Sequence, residues 1–197
     1  MLKSKTTSLN FLFILSFSIM LVLIWGCQRK SISTNFNGSF EIKKDNINEP
    51  QGWYATHVPQ THNYVIFSWD STIKHSGKYS VSISIDSTHP NEIIDYNWTR
   101  TFPDFKINKK YSISGWIKTR NLKTTAFLVV QCWNHNNKMI GFFTNQGKQP
   151  VSGTTDWKFV KYDFSAPEGT EEVRIRAGLQ APDNNGGKVW FDDIKIE

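Results

Sequence analysis

Side chains able to do acid–base or nucleophilic chemistry are scattered along this chain rather than gathered. The five histidines, His57, His62, His75, His89 and His135, fall mostly in polar loop stretches, and none has a metal-ligand spacing such as His-Glu-x-x-His. His57 and His62 stand five apart in a polar loop, which pairs them on no helix face. Glu171 and Glu172 are adjacent, and adjacent strand residues face opposite ways. Two carboxylates so placed cannot flank one glycosidic bond at the ~5–9 Å that hydrolysis requires. Nucleophile elbow, phosphate loop and dinucleotide fingerprint are all missing from the sequence. Cys132 lies in an apolar run and reads as a small buried hydrophobe. The residue types argue for a chain that catalyses nothing.

What the sequence has in quantity is flat aromatic surface: eight tryptophans, of which only Trp25 precedes the first polar segment. An indole face suits the C–H face of a sugar ring, and planar polar groups suit its hydroxyls. Trp53, Trp157 and Trp190 are expected to pack the fold, and Trp69 is left open. Trp98, Trp116 and Trp133 are the candidates for a ligand platform, with Arg100, Lys118, Gln131, Arg176 and Gln180 beside them as hydrogen-bonding groups. Covering about 100 Å² of apolar surface at ~25 cal/mol/Å² yields ~2.5 kcal/mol before any cost of association. Millimolar affinity already needs about 4 kcal/mol. One ring is therefore insufficient, and a site of this kind must span several sugar units.

These side chains need strands to position them. From Phe36 onward no helical period is sustained. Instead, runs rich in Val, Ile, Phe, Tyr, Trp and Thr appear at 64–69, 79–85, 93–102, 111–119, 125–133, 139–144, 157–164, 172–180 and 188–196. Breakers separate them, among them Ser76-Gly77, His89-Pro90-Asn91, Asn108-Lys109, the segment from Gly147 to Gly153, and Pro167-Glu168-Gly169. Closely spaced strands without helices predict one all-β domain, a sandwich or barrel. Alternation assigns the inward faces. Tyr111, Ile113, Gly115 and Ile117 are expected inside, as are Ala126, Leu128, Val130 and Cys132, and Val173, Ile175, Ala177 and Leu179. The opposite row on the middle run, Phe127, Val129, Gln131 and Trp133, is also largely apolar, which a solvated face does not need.

The N-terminus reads differently. Lys3 and Lys5 precede an apolar run from Phe11 to Trp25 that ends at Gly26-Cys27. A charged start, a short apolar stretch and a small residue before the cut describe a secretory signal. Leu23-Ile24-Trp25-Gly26-Cys27 resembles the bacterial lipobox, which implies lipidation of Cys27 and a lipoprotein held on a membrane of the cell envelope. The run is shorter than the ~20 residues of a spanning helix. The expected layout is a leader over 1–26, a tether over 27–35 and one domain over 36–197. The +6 formal charge is spread without a basic stripe, so a nucleic-acid partner is not expected. A monomer is.

Several phrases occur in order: Asn37-Gly38-Ser39-Phe40-Glu41, Gly52-Trp53, His75-Ser76-Gly77-Lys78-Tyr79-Ser80, Tyr111-Ser112-Ile113-Ser114-Gly115-Trp116, Gly153-Thr154-Thr155-Asp156-Trp157 and Trp190-Phe191-Asp192-Asp193-Ile194. Together they resemble the jelly-roll carbohydrate-binding modules of families 4, 9 and 22, within the galactose-binding-domain-like sandwiches. The resemblance implies a two-sheet antiparallel jelly-roll β-sandwich that binds an oligosaccharide or polysaccharide without catalysis. It also implies a structural calcium ion held by Glu41, by Asp192 or Asp193, and by backbone carbonyls of the Ser76-Gly77-Lys78 turn. Calcium takes six to eight oxygens, so such a set is chemically sensible. Because Asp192 and Asp193 alternate in a strand, one side chain is expected to reach the ion. A fold does not fix its function, and the competing expectation is a sandwich that contacts a protein partner.

Overall fold

In this computed structural model, residues 36–56 and 58–197 are described. The leader over 1–26, the lipidation site Cys27, the tether and His57 lie outside the described residues. Among those described, no helix is long and apolar enough to cross a membrane.

The β-branched and aromatic runs form the strands. In chain order they are β1 (Tyr54–Ala55), β2 (Val65–Asp70), β3 (Ser80–Ile85), β4 (Ile94–Thr101), β5 (Lys110–Trp133), β6 (Met139–Thr144), β7 (Val151–Ser165), β8 (Glu172–Ala181) and β9 (Lys188–Ile196), with one 3-10 turn at His62–Tyr64. All the strand pairs are antiparallel. The front sheet runs β1-β4-β8-β5-β6, and the back sheet runs β2-β3-β9-β5-β7. The result is the expected jelly-roll β-sandwich.

Two expected strands prove to be one. The runs at 111–119 and 125–133 join into the 24 residues of β5. Its first part pairs with β7 and β9, and its second part, from Phe127 on, pairs with β8 and β6. The strand therefore serves both sheets. The change of sheet falls near Asn121, whose φ of +56° is a left-handed conformation that asparagine tolerates better than most residues. Asn184 fastens the crossing: its Oδ1 accepts from the amides of Lys123 at 3.0 Å and Thr124 at 2.9 Å. β7 likewise begins six residues earlier than its tryptophan, at Val151. It passes through the expected break because Gly153 takes a φ of +72° where the register shifts.

The alternation places the core as expected. Ile113, Ile117, Ala126, Leu128, Val130, Cys132, Val173, Ile175, Ala177 and Leu179 are all fully enclosed; Leu128, Val130, Cys132 and the β8 row come from the front sheet, and Ile113 and Ile117 join Val81, Ile83, Val189 and Phe191 on the back one. Burial raises the Cys132 thiol pKa, which suits an inert packing residue. At ~1.5–3 kcal/mol for each large apolar side chain removed from water, this interior is the main source of stability.

β9 departs from alternation at its acidic pair. Pairing with β5 shifts between Ser114 and Trp116, and Asp193 has a φ of +48°. This irregularity lets both carboxylates serve one loop, where strict alternation predicts that only one can. Asp192 is fully buried. Its Oδ2 accepts from the amides of His75 at 2.8 Å and Ser76 at 3.1 Å, and its Oδ1 from the amide of Asp193 at 2.7 Å. Asp193 Oδ2 lies 2.8 Å from His75 Nδ1.

Candidate functional site

The two sheets turn different outer faces to solvent. On the front sheet, β4, β8, β5 and β6 carry a cleft of about 230 Å³ lined by Asp95, Asn97, Phe127, Val129, Gln131, Phe142, Gln146, Arg176 and Gln180. The register explains the set. Phe127 stands opposite Gly178 and Val129 opposite Arg176; on the far side of β8, Asn97 stands opposite Gly178 and Asp95 opposite Gln180. Across β5 on its other edge, Gln131 faces Phe142. These are the rows that point away from the core.

The cleft floor is built by size. A Cβ at Gly178 would lie 2.3 Å from the Phe127 ring and 2.5 Å from the Tyr96 carbonyl. Glycine there lets the ring lie across β8. Phe127 and Val129 are nearly covered although they face outward, which accounts for the apolar second row of this strand. Phe142 stays half exposed and offers a flat apolar wall.

Polar groups of the cleft fall into two kinds. Some are committed. Asn97 Oδ1 accepts from Thr56 Oγ1 at 2.8 Å and Thr99 Oγ1 at 2.5 Å, so it belongs to the floor. Gln180 Nε2 donates to Asp95 Oδ1 at 2.8 Å, and Asn184 holds the Gln180 carbonyl at 3.0 Å. Gln131 Oε1 accepts from Trp133 Nε1 at 3.2 Å, leaving its NH2 as its remaining donor. Arg176 is the other kind. Its Nε is buried without a hydrogen-bond partner. Burial lowers its pKa, with the neighbouring Arg174 charge acting in the same direction. Buried donors are nearly always paired in folded proteins.

Of the residues expected to form a platform, Gln131, Arg176 and Gln180 are brought together here. Trp133 lies on the same face but at its end, under the Arg174 guanidinium at 4.8 Å from its centroid; Arg174 is itself paired with Glu172 at 2.5 Å. The other four expectations are corrected. Trp98 is only 2% exposed, because the inward row of β4 is Tyr96 and Trp98; its Nε1 donates to the Ser82 carbonyl at 3.2 Å. Arg100 continues that row to the rim, donating to the Gln51 carbonyl at 3.1 Å with its guanidinium over Phe36. Trp116 does face outward, but on the back sheet, where the His75 ring stacks on it at 3.9 Å and 16°. Lys118 shares that face and is paired with Asp156 at 2.6 Å. The three indoles therefore form no common shelf.

Asp95, Asn97, Phe127, Val129, Phe142 and Gln146 complete the cleft beyond the sequence-based set. Parity along β5 marks Phe127 and Val129 as outward. The adjacent Phe142-Phe143 pair carries no parity signal that singles out Phe142.

The calcium expectation meets a different arrangement. Glu41 reaches the Ser76-Gly77-Lys78 turn, but its Oε1 accepts the amides of Lys78 at 2.9 Å and Tyr79 at 3.0 Å rather than sharing a cation with their carbonyls. The Asp192 oxygens are likewise occupied by amides. As placed, these carboxylates hold a loop, and among the described residues no three His, Cys, Asp or Glu side chains converge. Burial pushes the Asp192 carboxyl up to about 6, against the pull of those amides.

No protein-family model matches the chain. In sequence it is similar to the tRNA(Glu)-specific nuclease WapA of Bacillus subtilis subsp. natto (strain BEST195), with 26% identity over 170 residues. That match covers 85% of this chain and 7% of the relative, so the chain corresponds to a small part of it. In structure it is similar to the CBM22-1 xylan-binding domain of Paenibacillus barcinonensis Xyn10C, with a TM-score of 0.53 and 17% identity over 81% of this chain and 90% of that one. It is also similar to the enzymatically active domain of bacteriophage CBA120 tailspike protein 4, with a TM-score of 0.59 and 14% identity over 84% of this chain and 21% of that one. At these identities the likeness shows the fold, a carbohydrate-binding-module-like β-sandwich.

Proposed function

We propose that the domain is a non-catalytic carbohydrate-binding module whose ligand, an oligosaccharide or polysaccharide, lies across the front-sheet cleft. The observation that carries this reading is Arg176: a half-buried guanidinium, with its Nε lacking a partner, beside Gln131 and Gln180 and within reach of the Phe142 wall. At about 230 Å³ the cleft is smaller than the ~300–1,000 Å³ of enclosing ligand pockets, so a ligand rests on it and extends beyond its ends. That agrees with recognition of several consecutive sugar units. In this reading the protein is a monomer held at the cell envelope through lipid on Cys27, a part that the lipobox-like stretch Leu23-Ile24-Trp25-Gly26-Cys27 supports.

The tRNA nuclease activity in the relative's name is not carried over, since this chain matches 7% of that protein. Calcium is carried as a separate proposal: bound to Glu41 and Asp192, it would have to displace the amides they now accept, and it should then raise the melting temperature. If Tm stays constant between excess chelator and millimolar calcium, that proposal is wrong.

A second reading, contact with a protein partner, is favoured by one observation: Trp116 is covered by His75 instead of standing open for a sugar. A glycan array on the described domain separates the two. Binding that disappears with Phe142→Ala and Gln180→Ala supports the cleft, and an array without signal supports the protein contact.

A further inference from the structure

Resting on that reading of the cleft, we propose that its ligand is an anionic glycan, bearing uronic-acid carboxylates or sulfate esters, and that Arg176 is the partner of the anion. The inference comes from how charge is matched on the front face. Three other charged side chains surround Arg176, and each has a charged or polar partner in the chain, although the Arg174 Nε is itself buried without one. Glu172 is paired with Arg174 at 2.5 Å. Arg174 in turn spreads its guanidinium over Trp133. Asp95, the only carboxylate lining the cleft among the described residues, is held by the Gln180 amide at 2.8 Å. Neither acid comes within ion-pair distance of Arg176, whose Nε is buried without an acceptor.

A guanidinium with five fixed donors matches a carboxylate or sulfate in a two-point contact, and such charge-assisted bonds are about twice as strong as neutral ones. A neutral sugar laid over the cleft would exclude water from Arg176 while returning no charge. An anionic one returns it. Arg174, two residues along the same outward row of β8, adds positive potential on the same side. Phe142, half exposed, then takes the apolar face of the sugar. On the back face, by contrast, Lys118 has Asp156 and Lys188 has Asp70.

The test uses matched pairs of glycans that differ only in the acidic group: oligogalacturonate against galacto-oligosaccharide, glucuronoxylan against xylan, and a sulfated galactan against its desulfated form. The expected result is a preference of at least about tenfold for the acidic member of one pair or more, weakening as salt rises from about 0.1 M to about 1 M. Arg176→Gln should reduce that binding by about thirtyfold, as loss of one partner of a desolvated charge pair does, while Arg176→Lys retains part of it. Uronate and sulfate arms separate the two anions. Equal binding of neutral and acidic members, lost in Arg176→Gln, would overturn the anionic ligand and leave the cleft reading standing. Binding to no member would overturn both. Unchanged melting of Arg176→Gln is the control that the variant is folded.

Discussion

The front and back faces of this sandwich are made by the same strand grammar but leave their polar groups in opposite states. On the back face several polar groups have their partners within the chain. Trp190 donates to Asp70 at 2.9 Å, Trp116 is stacked by His75, and Asp192 collects three amides. On the front face the register opens a cleft, and Arg176 is left with donor capacity the chain does not fill. The contrast teaches that an outward tryptophan is weak evidence of a ligand surface. A guanidinium for which the chain supplies no acceptor, beside a hydrophobic wall, is stronger.

Substitutions on the back face should therefore cost stability and spare binding, while those on the front wall should do the reverse. The largest effect is expected for Asp192→Ala. It strips three amides of their acceptor and loosens the loop at His75-Ser76, at about 3 kcal/mol. A chain of this size loses roughly 2–4 °C per kcal/mol, so calorimetry should show Tm lower by roughly 10 °C with glycan affinity retained. Gly178→Ala comes next and crosses the divide. Its new Cβ meets both the Phe127 ring and the Tyr96 carbonyl, and overpacking of this kind costs about 2 kcal/mol. Tm and binding should fall together, since the displaced ring is the cleft floor; intact binding would break the link between floor and site. Phe142→Ala is smaller. The wall is half exposed, so its loss should weaken binding by roughly five- to tenfold and leave Tm nearly constant. A large drop in Tm with unchanged titration isotherms would erase the contrast between the faces.

The last effect is in pH, and it belongs to the back face. For Asp70, burial works to raise the carboxyl, but hydrogen bonds from Thr72, Trp190 and two backbone amides outweigh it and hold the group at about 2. Its contribution to stability is present above the unfolded value near 3.8 and is lost as pH falls toward 2. Asp192 runs the other way. Raised to about 6 by burial, it favours the folded state fully below 3.8, and that contribution is lost as pH rises through 6. Melting curves from pH 2 to 8 should show both limbs, the acid limb flattened in Asp70→Asn and the upper limb missing in Asp192→Ala. A flat profile in the unaltered protein would contradict both assignments.

Much of the fold was legible in the sequence because alternation is a local property. The inward rows of β5 and β8 could be read off directly, and with them the outward positions of Gln131, Arg176 and Gln180. The site was legible only in part. Trp98 was misplaced because β4 offers no clear row: Asn97 and Thr99 are as buried as Tyr96 and Trp98, so neither parity looks polar. Trp116 was placed on the correct side of its strand, but parity cannot say which sheet a strand belongs to, and here one strand belongs to both. Asp192 and Asp193 defied alternation through a single left-handed residue. Such departures are tertiary in origin and have no counterpart in the spacing of residue types.

Because β5 is one covalent thread through both layers, neither layer can slide along it alone. A two-residue slip against β9 would drag Phe127 and Gln131 out of step with Gly178 and Phe142. Severing the backbone between Asn121 and Thr125 would strand each half without its central member. The molecule should thus come apart in a single all-or-none event, and its contact surface should be as stiff in solution as the interior it is threaded through.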